Sequence, residues 1–202
     1  MKKTLLSLDM STTCTGWALF DIESKELLAY DKLKPSVKGG SKMTYPRAQL
    51  ERMKSIAEQI LGLVESYKPH GIVIEEITGS KQRLGQKTLD GLHFIVAYYL
   101  QEYLDIVSYY DVTGLNGWRT HLNLRLSDAD KASNKESKKL NKKLPPRQKL
   151  PIIGPKHLAC RHANRRFGMN LDVEVTKTDA DIADALCLGD AFLKFRFTEL
   201  IF

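Results

Sequence analysis

The 202 residues suffice for one sizeable core and leave little room for two full domains. The formal net charge of +7 points to a partner bearing phosphate. No apolar stretch approaches the roughly 20 residues that span a bilayer, and Asp9 cuts the first apolar run too short for a signal peptide, so a soluble, cytoplasmic protein is expected.

In chain order, residues 4–8 form a short apolar run ending in Asp9, and residues 16–21 and 26–33 follow with β-type spacing. Three consecutive strands are predicted. Across 43–67, Leu50, Met53, Ile56, Ala57, Ile60, Leu61 and Val64 recur at helical spacing, and Pro69 stops the pattern. Residues 71–74 are uniformly apolar, as in a strand buried on both faces, and end in Glu75 and Glu76.

A second helical pattern covers 85–102, and 106–112 returns as strand, which makes the layout α/β with a largely parallel sheet. Residues 116–122 start a short helix. Residues 155–167 and 179–195 read as helices, with 171–175 alternating like an edge strand between them.

The positive charge is concentrated. Between Lys131 and Lys149 eight Lys or Arg stand against one Glu, and the remaining 23 basic and 23 acidic residues cancel. The polar composition of 127–151 predicts a mobile insertion. Cys14, Cys160 and Cys187 lie far apart with neither a CxxC pair nor zinc-site spacing, and read as buried thiols in a reducing compartment.

Carboxylates carry the chemistry. Asp9 ends the first strand, where ligands of open α/β sheets bind, although an aspartate there also suits a turn. A buried strand has little reason to end in two carboxylates unless a cation meets them. Strand alternation sends Glu75 and Glu76 to opposite faces, so one of them joins Asp9.

Asp181 and Asp184, three apart, share one face of the last helix. Thr178 or Asp179 is its natural N-cap. Carboxylates gathered in this way repel, and hard divalent cations relieve the repulsion. Two Mg²⁺ or Mn²⁺ ions roughly 3.5–4 Å apart would clamp both oxygens of a phosphodiester undergoing hydrolysis.

With these residues in view, LSLDMSTTCTGWALFD resembles the opening hairpin of RuvC-type Holliday-junction resolvases, IVIEE their second motif, and DADIADALCLG their closing motif. The resemblance implies a ribonuclease H-like α/β domain over 1–202, with Asp9, Glu75, Asp181 and Asp184 as catalytic metal ligands. It also aligns Arg119 with a family lysine, and Lys156 with the lysine that opens the penultimate helix, both handling the scissile phosphate region. Lys156 therefore joins the catalytic set.

The segment Leu84-Gly85-Gln86 resembles the family's helix start after the second motif. The nearby Lys81, Arg83 and Lys87, together with Lys138, Lys139, Lys142 and Lys143, complete the expected DNA-binding set.

What the resemblance implies is a homodimer that nicks two strands of a four-way junction symmetrically, with Mg²⁺ or Mn²⁺, two ions per site, leaving ligatable 5′-phosphates. Two departures stand out: Thr78 replaces an aromatic that wedges into the junction, and the lysine-rich segment is extra. Both suit a stand-alone, phage-type enzyme without an obligatory branch-migration partner. A broader fork and flap endonuclease is the nearest alternative. The DxSTTxTG stretch also resembles the phosphate loop of actin-like ATP-binding proteins, which need two such domains, and a DNA-binding module without catalysis would not need three carboxylate motifs.

Overall fold

Apolar runs too short for helices, punctuated by turn residues, make the opening strands: β1 (Thr4–Asp9), β2 (Thr15–Asp21) and β3 (Leu27–Leu33). The computed structural model describes residues 2–37, 44–76, 83–112 and 114–196. After α1 (Arg47–Tyr67) come β4 (Gly71–Glu75), α2 (Arg83–Tyr99), a 3₁₀ turn (Gln101–Ile106) and β5 (Val107–Tyr110). The chain continues through α3 (Trp118–His121), α4 (Asp128–Asn141), a 3₁₀ turn (Pro146–Gln148), α5 (Pro155–Phe167) and α6 (Asp179–Phe195).

Among the described residues, five strands form one sheet in the order β3-β2-β1-β4-β5. The β1–β2 and β2–β3 pairs are antiparallel, and β1–β4 and β4–β5 are parallel. Period-two alternation divides the core. Leu6, Leu8, Leu19, Ile72 and Ile74 face α1 and α2, while Leu5, Ala18, Phe20 and Val73 face α6 with α5 and α3 beyond.

Helix α6 lies tight against the sheet because its contact residues are small. A Cβ added at Gly189 would stand 2.3 Å from the Phe20 ring, and Ser7 Oγ donates to the Ala185 carbonyl at 2.8 Å. Every residue from Ala183 to Leu193 is buried. An α/β layout with three strands opening the sheet is therefore borne out.

Two expectations are overturned. Residues 127–151 are not a mobile loop: α4 starts at a Ser127–Asp130 capping box, and Arg161 donates to Asp130 at 2.7 Å. Its docking is polar. Asn134 and Asn141 each donate to and accept from the backbone of the returning segment, at Ile153 and Leu150. A helix held by amides rather than by an apolar stripe reads as disorder from composition.

Residues 171–175 form turns rather than an edge strand; Leu171 and Val173 pack on the core from a loop, and Asn164 on α5 satisfies the Leu171 backbone. The three cysteines are free and buried, as expected. No helix among the described residues is long and apolar enough to cross a membrane.

Candidate active site

Register brings the acidic residues together. Asp9, the last residue of β1, pairs with Gly16 across the hairpin, and the parallel register Leu8↔Ile74 sets Glu75 one step further along β4, beside Asp9. Both point to the α6 face by alternation. Gly16 lies directly beneath the first turn of α6: a Cβ there would stand 1.9 Å from the Asp181 carbonyl oxygen. That approach brings Asp181 over the hairpin, and Asp184, one turn on, over β4.

The electrostatics record this convergence. Burial, then the charges of Glu75, Asp184 and Asp181, hold the Asp9 carboxyl well above the usual range, with Lys156 opposing. Burial and Asp184 push Glu75 up to about 7 despite Arg119 and a hydrogen bond from Trp118. Asp184 is raised to about 6, chiefly by burial, against the pull of Arg119 and Lys156.

Two cations meet these four carboxylates. Arg119 Nη2 donates to Asp184 Oδ1 at 2.9 Å, and Lys156 Nζ to Asp181 Oδ1 at 3.4 Å. For Lys156, burial is outweighed by Asp181, Asp184 and Asp9, and its pKa rises. Arg119 also stacks over the Trp118 ring at 4.7 Å, and its Nε is buried without a partner among the described residues. Trp118 Nε1 donates to Glu75 Oε2 at 3.2 Å.

Among the described residues, no three His, Cys, Asp or Glu side chains stand in position to hold one metal ion; Asp181 and Asp184 are turned to Lys156 and Arg119. The donor chemistry nevertheless fits a hard cation. All four groups are carboxylates, and each of Asp9, Glu75 and Asp184 is held in a field that disfavours its charge.

Asp9, Glu75, Asp181, Asp184, Arg119 and Lys156 thus share one site. Glu76 goes to the opposite face, lining a cavity with Asp90, His93 and Tyr109. Asp179 is not an N-cap: Thr178 holds that position without a side-chain cap, while Asp179 accepts from the Asp172 backbone at 2.9 Å. Lys87 is exposed on α2, and Lys138, Lys139, Lys142 and Lys143 are exposed on or just past α4.

Lys81, Thr78 and Met43, where the first helix was expected to begin, lie outside the described residues, as does the side chain of Arg83. Trp118 is the site residue that sequence reasoning missed. Its one signal is an aromatic next to Arg119 in a short helix.

No family model matches the sequence, and no curated protein aligns with it significantly. Solved structures do. Thermus thermophilus RuvC matches with a TM-score of 0.57, and the same protein in complex with Holliday junction substrate with 0.54, each at 14% identity over 97% of this chain and 96% of that chain. The chain has the ribonuclease H-like fold of RuvC.

The likeness to RuvC read from three short motifs thus extends to the whole architecture. The yeast mitochondrial Holliday junction resolvase Ydc2 matches less well, with 12% identity over 96% of this chain and 80% of that chain and a TM-score of 0.48.

Proposed function

We propose that this chain is a divalent-metal-dependent endodeoxyribonuclease that resolves four-way DNA junctions as a homodimer. The observation that carries this reading is the convergence of Asp9, Glu75, Asp181 and Asp184 at one end of the sheet, on a fold shared with RuvC, a protein solved in complex with Holliday junction substrate.

In this reading the four carboxylates hold Mg²⁺ or Mn²⁺, two ions per site. Bound there, divalent ions lower the pKa of water and stabilise charge on the leaving oxygen. The protein's own groups orient the DNA. In this reading Arg119 and the exposed Lys156, which meet Asp184 and Asp181, donate to non-bridging phosphate oxygens. Lys87 and the α4 lysines, with Lys81 and Arg83, contact the duplex arms through phosphates.

A two-fold dimer supplies two sites for symmetric nicks. The chain acts as one nuclease domain in the cytoplasm, with 127–151 as an insertion, and needs neither a membrane nor an obligatory branch-migration partner.

The test is cleavage of four-way, three-way and duplex DNA of matched sequence in Mg²⁺. Paired nicks at the four-way junction with little duplex cutting are expected. Equal cutting of all three substrates would contradict junction selectivity, and comparable three-way cutting alone would widen the class to branched DNA.

A further inference from the structure

We propose that Trp118 is a positioning residue for Glu75, its indole N–H fixing the carboxylate in the orientation that faces Asp9 and Asp184; the inference rests on the active-site reading above. Trp118 is fully buried, and its Nε1 donates to Glu75 Oε2 at 3.2 Å. An indole has one donor and no acceptor, so this bond is all that its polar atom can make. A buried N–H aimed at a carboxylate is an oriented dipole that leaves the second oxygen, Oε1, for another partner.

The short helix that carries Trp118 is tied down at several points. The Trp118 backbone N–H donates to the Asp111 carbonyl at 2.8 Å, and Thr120 Oγ1 to the Gly114 carbonyl at 2.7 Å. His121 Nδ1 hydrogen bonds the Tyr110 hydroxyl, and Tyr110 is the strand partner of Glu75. The acid and its donor are therefore referenced to the same edge of the sheet.

Arg119, the next residue, lies over the Trp118 ring at 4.7 Å while it donates to Asp184 at 2.9 Å. One turn of helix thus orients the carboxylates contributed by β4 and α6. Without the N–H, Glu75 keeps its place in the chain but can rotate. The same four carboxylates would then be less well arranged for a cation, while DNA contacts made by Arg119 and Lys156 would remain.

Trp118→Phe keeps an aromatic six-membered ring and removes the donor together with the five-membered ring, which leaves a small cavity. The chain has two tryptophans, so its amide spectrum carries two indole signals, and Trp17 serves as the internal control. Expected in the wild type is a Trp118 indole resonance that moves on Mg²⁺ addition and in Glu75→Ala, while that of Trp17 stays. In Trp118→Phe, Mg²⁺ affinity by calorimetry and kcat on junction DNA should each fall by about tenfold, the scale of one lost hydrogen bond to a charged group, with KM for junction little changed and Tm lowered by the cavity.

An indole signal indifferent to both Mg²⁺ and Glu75→Ala, or a Trp118→Phe protein with wild-type Mg²⁺ affinity, overturns the positioning role. A wild type whose Trp118 signal answers Mg²⁺ but which cuts no junction supports the positioning role and refutes the proposed function.

Discussion

The α6 backbone at Asp181 rests on Gly16 so closely that a methyl group at Gly16 would stand 1.9 Å from the Asp181 carbonyl oxygen and 2.8 Å from the Ile182 nitrogen. Both obstacles are backbone and cannot swing aside. Gly16→Ala should push the first turn of α6 off the hairpin, at a cost of about 1–3 kcal/mol in denaturant unfolding. The displaced Asp181 should lower cleavage about 10²-fold in protein that remains folded. Gly189→Ala meets the Phe20 ring and the Ser7 Cβ instead, more than one helical turn past Asp184, and should cost stability while retaining most activity per folded molecule. Equal cleavage by both variants would sever Gly16 from the site.

Stability without metal should fall as pH rises through the site's titration. The pKa values of Asp9, Glu75 and Asp184 are raised in the fold, Glu75 from 4.5 to about 7 and Asp184 from 3.8 to about 6. Between those limits the folded state binds more protons than the unfolded one, so the benefit is complete below about pH 4 and gone above about pH 7. Asp21, Asp130 and Asp190 are shifted down and act in the opposite sense, at lower pH.

Thermal unfolding in EDTA from pH 4.5 to 8 should therefore show a decline that Glu75→Gln flattens and Mg²⁺ reverses at the upper end. A wild-type profile that rises with pH across this interval, identical to that of Glu75→Gln, would contradict the assignment.

The lysine-rich segment makes a different prediction from the one its composition invites. With the Ser127–Asp130 box and the Asn134 and Asn141 clamps, α4 should be protected from hydrogen exchange before DNA is added. Asn134→Ala should remove that protection. Changing Lys138, Lys139, Lys142 and Lys143 to Gln should weaken junction binding and flatten the log affinity against log salt slope by about 0.9 per lost contact. Turnover at saturating DNA should change much less. An unchanged slope would leave the α4 lysines as a solvated surface.

Two acidic neighbours of the site should prove dispensable for chemistry. Glu76 faces the Tyr109 cavity, so Glu76→Gln should cleave as the wild type does. Asp179→Ala frees the Asp172 N–H and should cost about 1 kcal/mol of stability with little effect on turnover. A Glu76→Gln protein as inactive as Glu75→Gln would mean that the two faces of β4 are misassigned.

Much of this was legible in the sequence where side-chain periodicity follows burial. The 155–167 and 179–195 helices fall where their patterns place them, and the β4 run ending at Glu75 reads directly as a buried strand. What escaped depends on polar contacts between distant residues. Nothing local marks Asn134 as the partner of Ile153, or Trp118 as the donor to Glu75, 43 positions away. The alternation at 171–175 misled because Leu171 and Val173 are partly buried against the core from a loop, where period two has no structural meaning.

The most direct measurement is strand nicking of a four-way junction by wild type, Asp9→Asn, Glu75→Gln, Asp181→Asn and Asp184→Asn, each in Mg²⁺ and in EDTA, with junction binding measured on the same samples. Expected are paired nicks by the wild type in Mg²⁺ alone, loss of most cleavage in every variant, and binding retained or tightened as crowded negative charge is removed. Cleavage by the wild type in EDTA, or full activity of any of the four variants in Mg²⁺, would contradict a metal site built from these carboxylates.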